Sequence, residues 1–222
     1  MFRIKICGVT QSRDVEPIGR AGADAIGLNF VPASRRFIAI DAARAISAIA
    51  SEQKLARVGV FVNETLERIA EIHREVGLDW IQLHGDEPDE AVNGLKRMLP
   101  GVKICRALRW ESGFADDIGP IVAHWDASAI DALLVDAFAP DAYGGTGKVV
   151  DWSKARELAA SLKKPLVLAG GLTPDNVAAA IEAVSPAAVD TASGVELEPG
   201  VKSHSQVEAF AAAARAAFAN TG

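Results

Sequence analysis

The stretch ARVGVFVNETLERIAEIHREVGLDWIQLH, residues 56–84, decides how this chain folds. It opens on a short apolar run, Ala56–Val62, which predicts a strand buried on both faces. Asn63 reads as a helix cap, and Leu66, Ile69, Ala70, His73 and Val76 then recur at helical spacing. Gly77 ends the helix, and Asp79–His84 gives a second short strand. Two buried strands joined by a helical crossover lie parallel in one sheet.

The same alternation continues toward both termini. Further strands are predicted at Arg3–Cys7, Ala25–Phe30, Val102–Leu108, Ala132–Asp136, Pro165–Ala169 and Ala187–Thr191. Thr173-Pro174 is a cap followed by a first-turn proline, ahead of Val177, Ile181 and Val184. A last helix starts near Ser203–Ser205 and carries Val207, Phe210, Ala214 and Phe218. Gly22-Ala23-Asp24-Ala25 echoes Gly77-Leu78-Asp79-Trp80; both are helix-end glycines before a strand, and no repeat is needed to explain them. Eight strands alternating with helices over residues 1–222 predict an α/β protein, a single-domain (β/α)8 TIM barrel. A doubly wound open sheet is the alternative. It usually has fewer strands at this length, and no Gly-x-Gly-x-x-Gly follows the first strand. Gly144-Gly145-Thr146-Gly147 is a loop within the barrel series.

Composition narrows the function. Half of the 222 residues are hydrophobic and the net charge is −6, with no lysine or arginine run. Neither a nucleic-acid groove nor a membrane-binding face is indicated. No apolar stretch approaches the ~20 residues of a membrane span. The N-terminus turns polar at once, so no signal peptide is expected, and two cysteines then fit a reducing cytoplasm. The surface helices show no uninterrupted apolar stripe, which favours a monomer over a homodimer.

In such a barrel the reacting groups sit where strands end. Cys7 closes the first strand and is followed by Gly8, which leaves backbone without a side chain to block it. A thiol there can hold and release a proton near neutral pH. Strand parity would turn Arg3 and Lys5 inward with Cys7, and Leu134 inward with Asp136. Two readings of Lys5 stand: a cation that favours the Cys7 thiolate, or a structural ion pair. Asp136 either flanks a substrate opposite Cys7, or caps a loop or pairs with Lys148. If Arg106 points inward, Cys105 points outward into a structural role. Gly170-Gly171 and Ser193-Gly194 follow the seventh and eighth strands, where this architecture binds phosphate through backbone N–H groups. Asp190 beside them would repel phosphate and suits a sugar hydroxyl. Arg36 could fork onto a substrate carboxylate, or belong to a solvated basic loop. Gln82 and His84 share parity and could line the pocket. His73, His124 and His204 show no metal-ligand spacing, and no metal constellation is found.

Taken in order, several segments resemble phosphoribosylanthranilate isomerases of tryptophan biosynthesis. They are Lys5-Ile6-Cys7-Gly8-Val9-Thr10, Arg57–Asn63, Gln82-Leu83-His84-Gly85-Asp86-Glu87, Gly144–Gly147 before Asp151-Trp152, Gly170-Gly171-Leu172 before Pro174–Val177, and Ser193-Gly194-Val195-Glu196 before Pro199-Gly200. The resemblance implies a barrel of the ribulose-phosphate-binding type and a cofactor-free Amadori rearrangement of N-(5′-phosphoribosyl)anthranilate, a small phosphosugar substrate. It implies Cys7 as general base, Asp136 as general acid and Arg36 on the anthranilate carboxylate, with the two glycine loops on phosphate. Asp136 must then hold a proton and Cys7 lose one, opposite demands on neighbouring groups. Two positions depart from the family pattern: Ala192 stands where a serine is usual, and Ser203 where an aspartate is usual. Two rival readings are a related synthase or decarboxylase and a non-catalytic phosphosugar-binding protein. The first needs a lysine acid or a carboxylate–lysine–metal set at the strand ends, and Lys5 lies a layer too deep. The second would not need both Cys7 and Asp136.

Overall fold

Eight parallel strands pair in sequence order, and the eighth pairs back to the first, which closes the sheet. They are β1 (Ile4–Cys7), β2 (Ala25–Asn29), β3 (Ala56–Phe61), β4 (Trp80–Leu83), β5 (Lys103–Trp110), β6 (Ala132–Ala137), β7 (Leu166–Leu168) and β8 (Ala188–Thr191). The computed structural model describes residues 1–110, 119–137 and 151–221. Helices follow the strands in turn: α1 (Val15–Ala21), α2 (Ile40–Glu52), α3 (Leu66–Val76), α4 (Asp89–Met98), α5 (Gly119–Ala127), α6 (Trp152–Ser161), α7 (Val177–Val184) and α8 (His204–Asn220). A hairpin of β9 (Glu196–Glu198) and β10 (Val201–Lys202) lies between β8 and α8. The (β/α)8 expectation holds.

Alternation along each strand sorts the core into two shells. Ile4, Ile6, Ile26, Leu28, Ile81, Leu83, Leu133 and Val135 face the helices and are buried. Each such side chain contributes roughly 1.5–3 kcal/mol relative to exposure. The interior takes smaller residues, Ala25, Val58, Ala107, Ala132, Val167 and Ala188, with Leu134 inward as expected. Phe2 and Trp80 fill the interior with an edge-on contact at 5.3 Å. Parity puts Lys5 in the same interior, fully buried.

Four local expectations are corrected. Asn63 is not the cap of α3, because its backbone is left-handed and its Oδ1 accepts from Asp86 N; Thr65 caps instead, accepting from Arg68 N. Thr173-Pro174 forms a turn, and α7 begins at Val177 with Asn176 as N-cap. The Asn176 side chain accepts from Thr173 N and donates to the Gly171 carbonyl, so it serves the turn. Arg3 lies before β1 and is exposed, its guanidinium 5.2 Å from the Phe218 ring centroid, so parity does not reach it. On β5 the faces are reversed: Cys105 packs in the barrel interior, and Arg106 turns toward Glu87 and the Trp125 ring. A small thiol suits the tight interior, whereas a guanidinium needs a carboxylate, and Glu87 lies outside. Ser203 caps α8, its side chain accepting from Gln206 N.

Candidate active site

Cys7 ends β1 half-buried, and Gly8 after it has a φ of +72°. Its register partner on β2 is Gly27. A Cβ on Gly27 would stand 2.5 Å from the Cys7 sulfur, so only glycine leaves room for this thiol. Below it, Lys5 Nζ donates to Asp190 Oδ2 at 2.7 Å and to Gln82 Oε1 at 3.0 Å. Burial disfavours the lysine charge, yet Asp190 and Cys7 hold its pKa above the ordinary value. Both readings of Lys5 therefore have a footing: it is ion-paired, and its field pulls on the thiol. Burial dominates at Cys7 and pushes its pKa up from 9.0, with Lys5 and Lys202 pulling the other way. The field of Lys5 therefore favours the thiolate, as one reading expected, without bringing the thiol below its ordinary value.

One cavity at the strand ends collects most of the predicted residues. Cys7, Arg36, Gln82, His84, Asp136, Gly170, Gly171, Asp190 and Ser193 all line it. Asp136, near the end of β6, is buried with Oδ2 3.5 Å from His84 Nε2. Pairing of Asp136 with Lys148, and the Gly144–Gly147 loop, lie outside the described residues. Gln82 Nε2 and His84 Nδ1 are 3.0 Å apart. Asp190 lines the same cavity, and its Oδ1 is buried without a partner among the described residues, an acceptor suited to a hydroxyl. A larger cleft, about 770 Å³, lies where the strands begin, around Phe2, Asp24 and Trp80. It holds neither Cys7 nor Asp136, and reacting groups in this architecture gather at the other end.

Loops after β7 and β8 interlock. Gly170 and Gly171 have φ of +87° and +66°, and their amides take no protein partner among the described residues. Thr191 Oγ1 donates to the Leu172 carbonyl at 2.7 Å. A Cβ on Gly194 would sit 1.9 Å from the same oxygen, so Gly194 is a point of close backbone approach. Gly194 borders an outer pocket with Thr173 and Gln206 instead of lining the cavity itself. Ala192 and Ser193 line the cavity side by side, only the second offering a hydroxyl.

Arg36 reaches the rim across Gly8, but its Nε and Nη2 both bond to Glu196, at 2.7–3.1 Å. Nη1 is the arm without a protein partner among the described residues. Glu196 also accepts from Lys202 Nζ at 2.7 Å, and that ammonium donates to the Cys7 carbonyl at 2.5 Å. Burial raises the Glu196 pKa, and the two cations more than offset this and hold it below the ordinary value. Sequence reasoning missed Glu196, Lys202 and Gly27 as site-builders. A lone glycine inside an apolar strand was the available signal for Gly27. The other two stand in a segment that reads only as a loop.

Comparisons with known proteins match the chain along nearly its whole length. The family model for N-(5′-phosphoribosyl)anthranilate (PRA) isomerase matches residues 4–213. An N-(5′-phosphoribosyl)anthranilate isomerase from Chlorobium luteolum is 41% identical over 219 residues, covering 98% of this chain and 99% of its own. A structure of monomers of the dimeric phosphoribosylanthranilate isomerase from Thermotoga maritima superposes with a TM-score of 0.82 at 35% identity, covering 97% of this chain and 100% of that one. A phosphoribosylanthranilate isomerase in complex with reduced 1-(o-carboxyphenylamino)-1-deoxyribulose 5-phosphate gives the same TM-score, identity and coverage.

Proposed function

This chain belongs to the N-(5′-phosphoribosyl)anthranilate isomerase family, and from that premise we propose how its rim divides the work. The enzyme is an isomerase of tryptophan biosynthesis, converting N-(5′-phosphoribosyl)anthranilate to 1-(o-carboxyphenylamino)-1-deoxyribulose 5-phosphate. In the proposal Asp136, as a carboxylic acid, gives its proton to the furanose ring oxygen. The bond from that oxygen to the anomeric carbon breaks, and the nitrogen lone pair forms a C=N⁺ bond. The Cys7 thiolate then removes the proton from the adjacent sugar carbon, and the resulting enolamine tautomerises to the ketone. The iminium charge both acidifies that carbon and favours a thiolate that burial alone disfavours.

The observation that carries the reading is that Cys7 and Asp136, far apart in sequence, line one cavity together with the Gly170-Gly171 turn. Those free amides suit the phosphate, Asp190 Oδ1 a sugar hydroxyl, and Arg36 Nη1 the anthranilate carboxylate. Every one of these groups comes from one chain, so we take a monomer to be competent. Both cysteines are free thiols, which supports a reducing, cytoplasmic setting.

The test is turnover, followed through the fluorescence of anthranilate. Cys7→Ala and Asp136→Asn should each lower kcat roughly 10²–10⁴-fold, the usual share of one acid or base. At 1.36 kcal/mol per decade that is about 3–5 kcal/mol of barrier. Near-normal turnover in either variant would overturn the assignment. Arg36→Ala should chiefly raise KM, and an unchanged KM would remove Arg36 from the carboxylate.

A further inference from the structure

Five polar side chains cross the barrel mouth in a line. Asp190 Oδ2 meets Lys5 Nζ at 2.7 Å, and Lys5 Nζ meets Gln82 Oε1 at 3.0 Å. Gln82 Nε2 meets His84 Nδ1 at 3.0 Å, and His84 Nε2 stands 3.5 Å from Asp136 Oδ2. An ammonium can only donate, so the Gln82 atom facing Lys5 must be its carbonyl oxygen. The amide nitrogen then faces His84, and it too can only donate. His84 Nδ1 must accept, so its ring carries the proton on Nε2. Turning the amide over would set its N–H against the ammonium at a buried site, leaving that N–H unpaired and Lys5 with Asp190 alone.

We propose that Lys5 and Gln82 are positioning residues that fix His84 as its Nε2–H tautomer and aim that N–H at Asp136. This rests on the reading of Asp136 as the general acid. His84 Nε2 is buried and makes no aligned hydrogen bond among the described residues. Such contacts are often long before substrate binds and tighten in the complex. With Oδ2 facing His84, Oδ1 is the oxygen that carries the proton. As that proton moves to the ring oxygen, negative charge grows on the carboxylate and the N–H···Oδ2 contact strengthens. A fixed donor aimed at developing charge lowers the barrier without affecting ground-state binding to the same degree.

The tautomer can be read without turnover, from ring ¹⁵N shifts of histidine-labelled protein. The His84 signals are assigned by their loss in His84→Gln. The expected spectrum has Nε2 protonated and Nδ1 bare. Gln82→Glu puts an acceptor against Nδ1 and should draw a proton onto it, while kcat falls on the order of 10- to 100-fold with KM near the parent value. His84→Gln, whose amide presents an N–H at similar reach, should retain more turnover than His84→Ala. A wild-type proton on Nδ1 alone, or unchanged kcat in Gln82→Glu, would overturn the proposal. Failure of the acid–base reading would look different: Asp136→Asn would stay active while the His84 spectrum kept its expected form.

Discussion

At the scale of single residues, the two thiols show position outranking type. Cys105 sits deep in the barrel, and burial pushes its pKa up to about 12. Cys7 sits at the strand end with two ammonium groups near it, and its upward shift is partly offset by them. In the proposed division of work one group must hold a proton and the other lose one, so turnover should follow a bell in pH, and a flat or monotonic profile would contradict that division. Gly27 gives a second prediction at this scale. Gly27→Ala places a methyl 2.5 Å from the Cys7 sulfur and 3.0 Å from its Cα, so the thiol must move. Kinetics on this variant should show kcat reduced by roughly 10²-fold, as for an ångström-scale misplacement, while circular dichroism stays barrel-like.

At the scale of elements, the Gly-x-Asp echo has a structural basis beyond the glycine. Gly22 and Gly77 both end their helices in the left-handed conformation. The aspartate two residues later then clamps the start of the preceding strand. Asp24 accepts from Ile4 N and donates its own N–H to the Ile4 carbonyl. Asp79 does the same with Arg57, and Asp131 with Ile104. Each clamp satisfies a strand-end N–H that the ladder leaves open. Asp79 also pairs with the Arg57 guanidinium, and although burial alone would raise its pKa, those bonds hold it below 3.8. A depressed carboxyl stabilises the fold fully above 3.8, and that contribution is lost as pH falls through the lower folded-state value. Because Asp79 is partly exposed, Asp79→Asn should cost only ~1 kcal/mol at neutral pH. Urea titrations should show the gap between variant and parent closing in acid; a pH-independent gap would mean the carboxylate charge plays no part.

Across the whole molecule, the Lys5–Asp190 pair joins the first strand to the last, as direct register partners at the closing seam. Removing one member leaves a buried charge unpaired, so Lys5→Met should destabilise by ~3–5 kcal/mol. Adding Asp190→Leu should restore much of that stability in denaturant titrations but no turnover, since Asp190 Oδ1 is a proposed substrate contact. Equal instability of the single and double variants would refute the pairing argument. The eight strands, their order and the strand-end places of Cys7, Asp136 and Asp190 were legible in the sequence. Buried parallel strands are continuous apolar runs, and helix periodicity separates them. The facing of Cys105 and Arg106 was not, because parity fixes alternation but not its phase, and the phase depended on where Glu87 came to lie. Nor could the chain alone reveal that Glu196 and Lys202 embrace Arg36 and the Cys7 carbonyl, since those contacts span more than 150 residues. Local patterns determined the barrel because helix and strand periods are written in neighbouring residues. The site's charge partners were decided only by the tertiary structure, because a buried charge selects its partner by distance in space.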